Sequence, residues 1–309
     1  MTRKRIVCVL EFLSGIRAGG LAGDLDRVEG GIHASTVWGG VGCAASRLFP
    51  GEIVDRLTKE GSLSSLLWKK GDVYYIPRPL VPFSNVSPEK RKAAREWTWI
   101  PLQGVSDFVF NGKLPPLSPE PLFREERQRS AAVDRCTNSA VPYFRKRIVP
   151  LERVSGVLVA DMPDDLAASF RAAMALLGDT GLGGERSSGN GHFSVHFLDG
   201  EQTPFGHESG DFREPAVALG AFLPTEDESA RIRQCARAGE TPIGYELTRI
   251  RGFTGESSDI SKPTVTCLSA GSVIPFLPKG RTIDITPQFA GHPVVFNGMP
   301  PFLSLAGRN

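Results

Sequence analysis

The run G-L-G-G-E-R-S-S-G-N-G, from Gly181 to Gly191, constrains this chain more than any other feature. Gly181, Gly183, Gly184, Gly189 and Gly191 supply five glycines in eleven residues. Glycine reaches positive φ without steric cost and lets backbone approach a ligand closely. The segment before the run, Asp164–Leu177, places Leu166, Phe170, Met174 and Leu177 on one helical face. The segment after it, His192–Leu198, alternates as a strand. The order helix, glycine loop, strand fails two nucleotide-binding patterns. A P-loop needs Gly-Lys-Ser/Thr opening a helix, and a dinucleotide loop follows a strand. Two readings remain: a plain surface connection, or a nest of backbone N–H groups suited to an anion. In the second, Arg186 adds a bidentate phosphate contact, and Ser187 and Ser188 donate from their hydroxyls.

Around this loop the chain reads as an α+β protein. Arg5–Phe12 has strand composition. His33–Phe49 has a helical apolar stripe interrupted by glycines, whose smallness suits close packing on a sheet, with Ser35 as a candidate cap. Leu63–Trp68 and Asp72–Ile76 read as strands around a Lys-Lys-Gly-Asp turn, and Glu89–Trp97 as a short basic helix. Prolines and glycines predict irregular structure from Pro101 to Pro121. Arg124–Arg147 is the most basic window, with Tyr143 and Phe144 beside Arg145, Lys146 and Arg147. Beyond it come Val154–Ala160, Ala216–Leu223, Gly244–Phe253, Val265–Ile274 and His292–Leu305 as strands, and Asp227–Ala238 as a helix. A length of 309 residues suits two domains at roughly 100–200 residues each. The boundary is expected near Pro150, giving units 1–150 and 151–309. The opening of the second half, strand, helix, loop and strand, suits a β-α-β-β-α-β unit.

A net charge of +2 neither demands nor excludes a nucleic-acid partner. Cys8, Cys43, Cys136, Cys235 and Cys267 are scattered, odd in number and without C-x-x-C spacing, which argues for reduced thiols rather than disulfides or zinc. No cofactor or metal is expected. His192 and His196 share a strand face, but no carboxylate pair completes a site. The start Met1-Thr2-Arg3-Lys4-Arg5 reads as a charged entry to a first strand rather than a signal peptide. No apolar run approaches the roughly 20 residues that span a bilayer.

The loop G-L-G-G-E-R-S-S-G-N-G-H-F resembles the glycine-rich loop of the RAMP superfamily of CRISPR RNA-binding proteins. Further segments resemble one branch, the Csm-type subunit that caps the 5′ end of the guide RNA in type III-A effector complexes. These are I-H-A-S-T-V-W-G-G (Ile32–Gly40), Y-Y-I-P-R-P (Tyr74–Pro79), A-A-V-D-R-C-T (Ala131–Thr137), G-S-V-I-P (Gly271–Pro275) and G-H-P-V-V-F-N-G (Gly291–Gly298). In the first, Thr36 stands where that branch usually has aspartate. The resemblance implies two ferredoxin-like (RRM-like) domains with antiparallel sheets, the first carrying a basic hairpin insertion and the second the glycine-rich loop. It implies a cytoplasmic, non-catalytic ribonucleoprotein subunit of antiviral defence. Its implied partners are the 5′ tag of the guide RNA (crRNA), a large polymerase-like signalling subunit and a backbone RAMP subunit.

On this reading Gly181–Gly191 takes RNA phosphates through backbone N–H groups and Arg186. Arg135, Arg145, Lys146 and Arg147 supply charge, and Tyr143 or Phe144 stacks on a base. His33 and Ser35 offer donors at a helix N-terminus. Two other classes stay open. One is a metal-independent RAMP endoribonuclease processing repeat RNA, with His33 as its candidate group. The other is a protein-only adaptor.

Overall fold

The structure, a computed structural model, describes residues 2–17, 30–82, 88–115, 119–199, 204–206, 214–239, 242–254 and 260–305. Gly19, Gly20 and Gly23 lie outside them, as does His207. The chain opens with β1 (Arg3–Phe12), α1 (Ala34–Leu48), α2 (Gly51–Glu60), β2 (Ser62–Leu63), β3 (Leu67–Lys70) and β4 (Val73–Pro77). Then come α3 (Pro88–Glu96), β5 (Trp99–Pro101), α4 (Val105–Asn111) and a long strand pair, β6 (Phe123–Val133) and β7 (Ala140–Pro150). β8 (Val154–Pro163), α5 (Ala167–Thr180) and β9 (Phe193–Asp199) follow. The last third holds β10 (Ala216–Ala218), α6 (Glu226–Ala238), β11 (Leu247–Ile250), β12 (Val265–Leu268), β13 (Val273–Ile274), β14 (Thr282–Asp284), β15 (Val295–Asn297) and β16 (Phe302–Ser304).

The main sheet runs β5-β4-β3-β8-β1-β9 with antiparallel neighbours throughout, and β2 adds to β8. β1 and β8 are nearly continuous apolar runs because both faces of this sheet are covered. Ile6, Cys8 and Leu10 of β1, with Leu158, Ala160 and Met162 of β8, face a core shared with Val37 and Val41 of α1 and Phe170, Met174 and Leu177 of α5. Val7, Val157 and Val159 point the other way, toward Val105, Phe108 and Val109 of α4 and toward the small sheet β13-β10-β16. Gly40 of α1 serves a helix contact rather than the expected sheet contact. A Cβ on Gly40 would lie 2.8 Å from Leu177 Cδ1, so α1 approaches α5 closely only without one.

The sheet does not divide at Pro150. β1 has two edges to fill, and both partners, β8 and β9, come from beyond that residue. β8, α5 and β9 therefore complete the unit begun by β1, α1 and β3, with the β6–β7 arm inserted between. From Ala216 onward the strands pair with one another. The irregular stretch expected at 101–121 contains α4, whose Val105, Phe108 and Val109 bury against the sheet.

Buried polar groups join these layers. Arg5 and Asp161 are direct cross-strand partners, with Nε to Oδ1 and Nη2 to Oδ2 both 2.7 Å. Their side chains are 2% and 3% exposed, and Arg5 Nη1 also donates to the carbonyls of Phe205 and Gly206. Asn297 of β15 donates to the carbonyls of Thr58 (2.8 Å) and Gly61 (2.7 Å) at the end of α2. That contact ties the C-terminal part to the first helical layer.

Candidate nucleic-acid interface

Three pieces of chain meet where β1 ends. β9 begins opposite that end, with Phe12 paired to Phe193 and the Leu13 N–H bonded to the His192 carbonyl at 2.9 Å. Ile16 bridges to Ile148 at the base of the β6–β7 arm, and Arg17 bridges to Gly184 in the glycine loop. Residues 13–17 thus hold the arm and the loop side by side. A depression of about 330 Å³ lies beside them, lined by Leu13, Ser14, Gly15, Arg124, Glu126 and Arg147 among others.

The loop spends most of its glycines on its own packing. Gly181, at φ +85°, ends α5 and donates to the Leu177 carbonyl at 2.8 Å. Leu182 is buried and donates to Gly191, which in turn donates to Gly15. Gly184 donates to Arg17 and Gly189 to Arg186. A Cβ on Gly191 would fall 2.0 Å from the Leu182 carbonyl oxygen, and one on Gly183 2.5 Å from that of Arg17. The expected row of free glycine amides is therefore narrower than the sequence suggested. What the loop offers is Glu185, left-handed at φ 59° and ψ 31°, followed by a 3-10 turn over Arg186–Ser188. Among the described residues no hydrogen bond takes the amides of Glu185, Arg186 or Ser187. Successive N–H groups at a left-handed to right-handed step converge into an anion-binding concavity. Ser187 and Ser188 are exposed beside it, and Arg186 is half-buried.

The arm is a regular antiparallel pair of eleven-residue strands. Its basic cluster is charge-compensated. Arg145 pairs with Glu185 across to the loop, Lys146 with Glu125 at 2.9 Å, and Arg147 with Glu126 at 2.6 Å. Arg147 also donates to Asn190 at 3.2 Å, and Arg145 Nε donates to Ser130 at 2.9 Å. These arginines brace arm to loop more than they supply loose charge. Tyr143 is half-buried beneath Arg145, and Phe144 is exposed with the Arg127 guanidinium 4.0 Å from its ring centre. Neither aromatic belongs to the core. Arg135 is exposed at the tip, where Asp134 accepts from the amides of Cys136 and Thr137; those bonds hold its carboxyl below the usual carboxylate range.

His33 and Ser35 lie at the start of α1. Ser35 caps nothing: His33 occupies the cap position, and the amide of Ala34 donates to Ser65 Oγ at 3.2 Å. His196 is exposed, 3.9 Å from Glu11. Glu185, Arg17, Gly15 and Asn190 complete the junction and were absent from the sequence-derived set. Glu185 and Asn190 lay inside the loop that was singled out, but only tertiary pairing shows their partners.

The fold and this edge define a protein of mixed helix and antiparallel sheet, in which a glycine-rich loop and a β-arm are braced side by side. Comparison places it more narrowly. Residues 213–305 match the model of the CRISPR Csm4 C-terminal domain. The chain is 28% identical to the CRISPR system Cms protein Csm4 of Thermococcus onnurineus, over 80% of this chain and 83% of that protein. It is 26% identical to the protein of the same name from Mycobacterium tuberculosis, over 91% and 96%. Its fold resembles a chain of a Csm1-Csm4 cassette crystallised with cA4, at TM-score 0.62, 19% identity and 98% and 97% coverage. It also resembles a chain of a Csm3-Csm4 subcomplex of the type III-A CRISPR-Cas interference complex, at TM-score 0.60, 16% identity and 97% and 98% coverage. The resemblance to type III-A RAMP subunits read from the sequence is thus borne out.

Proposed function

We propose that this chain is a non-catalytic RNA-binding subunit of a type III-A CRISPR effector complex that holds the 5′ tag of the guide RNA. On this reading one surface docks the large signalling subunit, as in the Csm1-Csm4 cassette, and another meets the backbone subunit, as in the Csm3-Csm4 subcomplex. The observation that carries the RNA-binding part is the triplet of amides at Glu185, Arg186 and Ser187, unpaired among the described residues, beside an arm that holds Tyr143 and Phe144 outside the core. Backbone N–H groups and an arginine suit phosphodiesters, and aromatics on a protruding arm suit unstacked bases.

The strand order supports a ferredoxin-like first unit. Taking β1, β3, β8 and β9 as its four strands and α1 and α5 as its two helices gives β-α-β-β-α-β connectivity. In this assignment the unit spans roughly residues 3–199, the glycine loop joins its second helix to its last strand, and the β6–β7 arm is an insertion. A second, smaller RAMP unit occupies 214–305. Among the described residues no helix is long and apolar enough to cross a membrane, and the cytoplasm is the proposed place of action.

The test is binding of single-stranded repeat-derived RNA to the full chain across a salt series. Arg186→Ala flattens the dependence of log K on log salt by about 0.7, the loss of one phosphate contact on a single strand, and the RNA stays intact. An unchanged slope removes Arg186 from the phosphate contacts. Cleavage abolished by His33→Ala would support the endoribonuclease reading instead.

A further inference from the structure

Glu185 is a carboxylate inside a loop proposed to bind phosphates, and its placement needs an account. It adopts a left-handed backbone that L side chains rarely take. Its own amide opens the free triplet, while its carboxylate turns away to the Arg145 guanidinium. Arg145 is 17% exposed and Glu185 30%, so the pair is partly sheltered yet reachable from solvent. Arg145 is also oriented by Ser130 and lies over Tyr143, so its position does not depend on Glu185 alone.

We propose that Glu185 is an internal counter-anion: it occupies Arg145 while the loop is empty and yields that guanidinium to an RNA phosphate on binding. The inference rests on the phosphate-binding reading of the loop. Carboxylate and phosphodiester make the same forked contact to a guanidinium. An incoming phosphate on the free amides lies next to the residue that neutralises Arg145. An isolated anion gains little by breaking the Arg145–Glu185 pair. A polyanion already held by the amides meets that cost once and gains a further contact. Glu185 thereby sets selectivity for a nucleic-acid strand over small anions.

The test uses the full chain and a fluorescein-labelled single-stranded RNA, read by anisotropy over a salt series. Glu185→Gln binds about three- to fivefold tighter at low salt, the worth of releasing a partly exposed ion pair. Its salt slope is steeper by about 0.7, since one uncompensated cation is added. Inorganic phosphate, a weak competitor with the wild type, competes better with the variant. Glu185→Gly removes the carboxylate while favouring the same left-handed backbone, and it shows the same gain even if Glu185→Gln disturbs the loop. Weaker binding by both variants, with thermal unfolding unchanged, would make Glu185 a brace for the loop and overturn the proposal. Unchanged affinity and slope would overturn it equally. Arg186→Ala separates the two levels. If it flattens the slope while the Glu185 variants do not steepen it, only the counter-anion is wrong. If it leaves the slope untouched and the Glu185 variants do not steepen it either, the phosphate-binding reading itself has failed.

Discussion

Arg147 of the β6–β7 arm donates through Nη1 to Oδ1 of Asn190 in the glycine loop at 3.2 Å, while its Nε bonds to Glu126 on the neighbouring strand at 2.7 Å. One guanidinium therefore fixes the angle between arm and loop. Asn190 is 3% exposed, so losing this donor leaves a buried carbonyl oxygen unsatisfied. Arg147→Ala is expected to cost about 1–3 kcal/mol in urea denaturation. RNA affinity should fall with it. Gly15→Ala should reproduce part of the defect, because its Cβ would meet Arg147 Cδ at 2.5 Å.

Asp161→Ala should be among the most damaging single changes. It leaves the Arg5 guanidinium, 2% exposed, without its bidentate partner in the sheet centre. Breaking one side of a buried pair costs about 3–5 kcal/mol. The double replacement Arg5→Met with Asp161→Leu should recover much of that loss, since neither charge then remains buried. Equilibrium unfolding of the three variants checks the order.

The tip of the arm should titrate at low pH. The amides of Cys136 and Thr137 hold the Asp134 carboxyl below its ordinary value. A depressed folded pKa contributes stability above the unfolded value of about 3.9, and that contribution fades as pH falls through the lower folded value. The Cys136 amide resonance should stay constant from neutral pH to about 4 and move only below it. A midpoint above the unfolded value would contradict the turn geometry.

Thiol labelling should be selective. Cys136 is exposed at the tip, whereas Cys8, Cys235 and Cys267 are buried, and burial raises the Cys267 thiol pKa to about 12. A maleimide at neutral pH should modify Cys136 first, with Cys43, half-buried on α1, next. Mass spectrometry of early time points reads the order.

Much of the fold was legible because its signals are local. The unbroken apolar run Ile6, Val7, Cys8 and Val9 marks β1, and the spacing of Phe170, Met174 and Leu177 marks α5. The glycine run falls where α5 hands over to β9. Its partners were not legible, since Arg17, Gly15 and Arg147 are far away in the chain. The boundary expected near Pro150 follows the basic window, whereas β1 pairs with β8 and β9 from beyond it, a long-range pairing that no local signal carries. α4 was hidden because the prolines around it outweigh the short apolar stripe of Val105, Phe108 and Val109. The basic cluster looked free because only the strand register sets Glu126 opposite Arg147 and Glu125 diagonal to Lys146.

Photo-crosslinking of guide RNA substituted with 4-thiouridine, within the assembled complex and read by mass spectrometry, tests the RNA-holding role most directly. Crosslinks from the 5′ tag to peptides containing residues 181–191 and 143–147 are expected. Tag crosslinks confined to residues 214–305, or found only on other subunits, would contradict it.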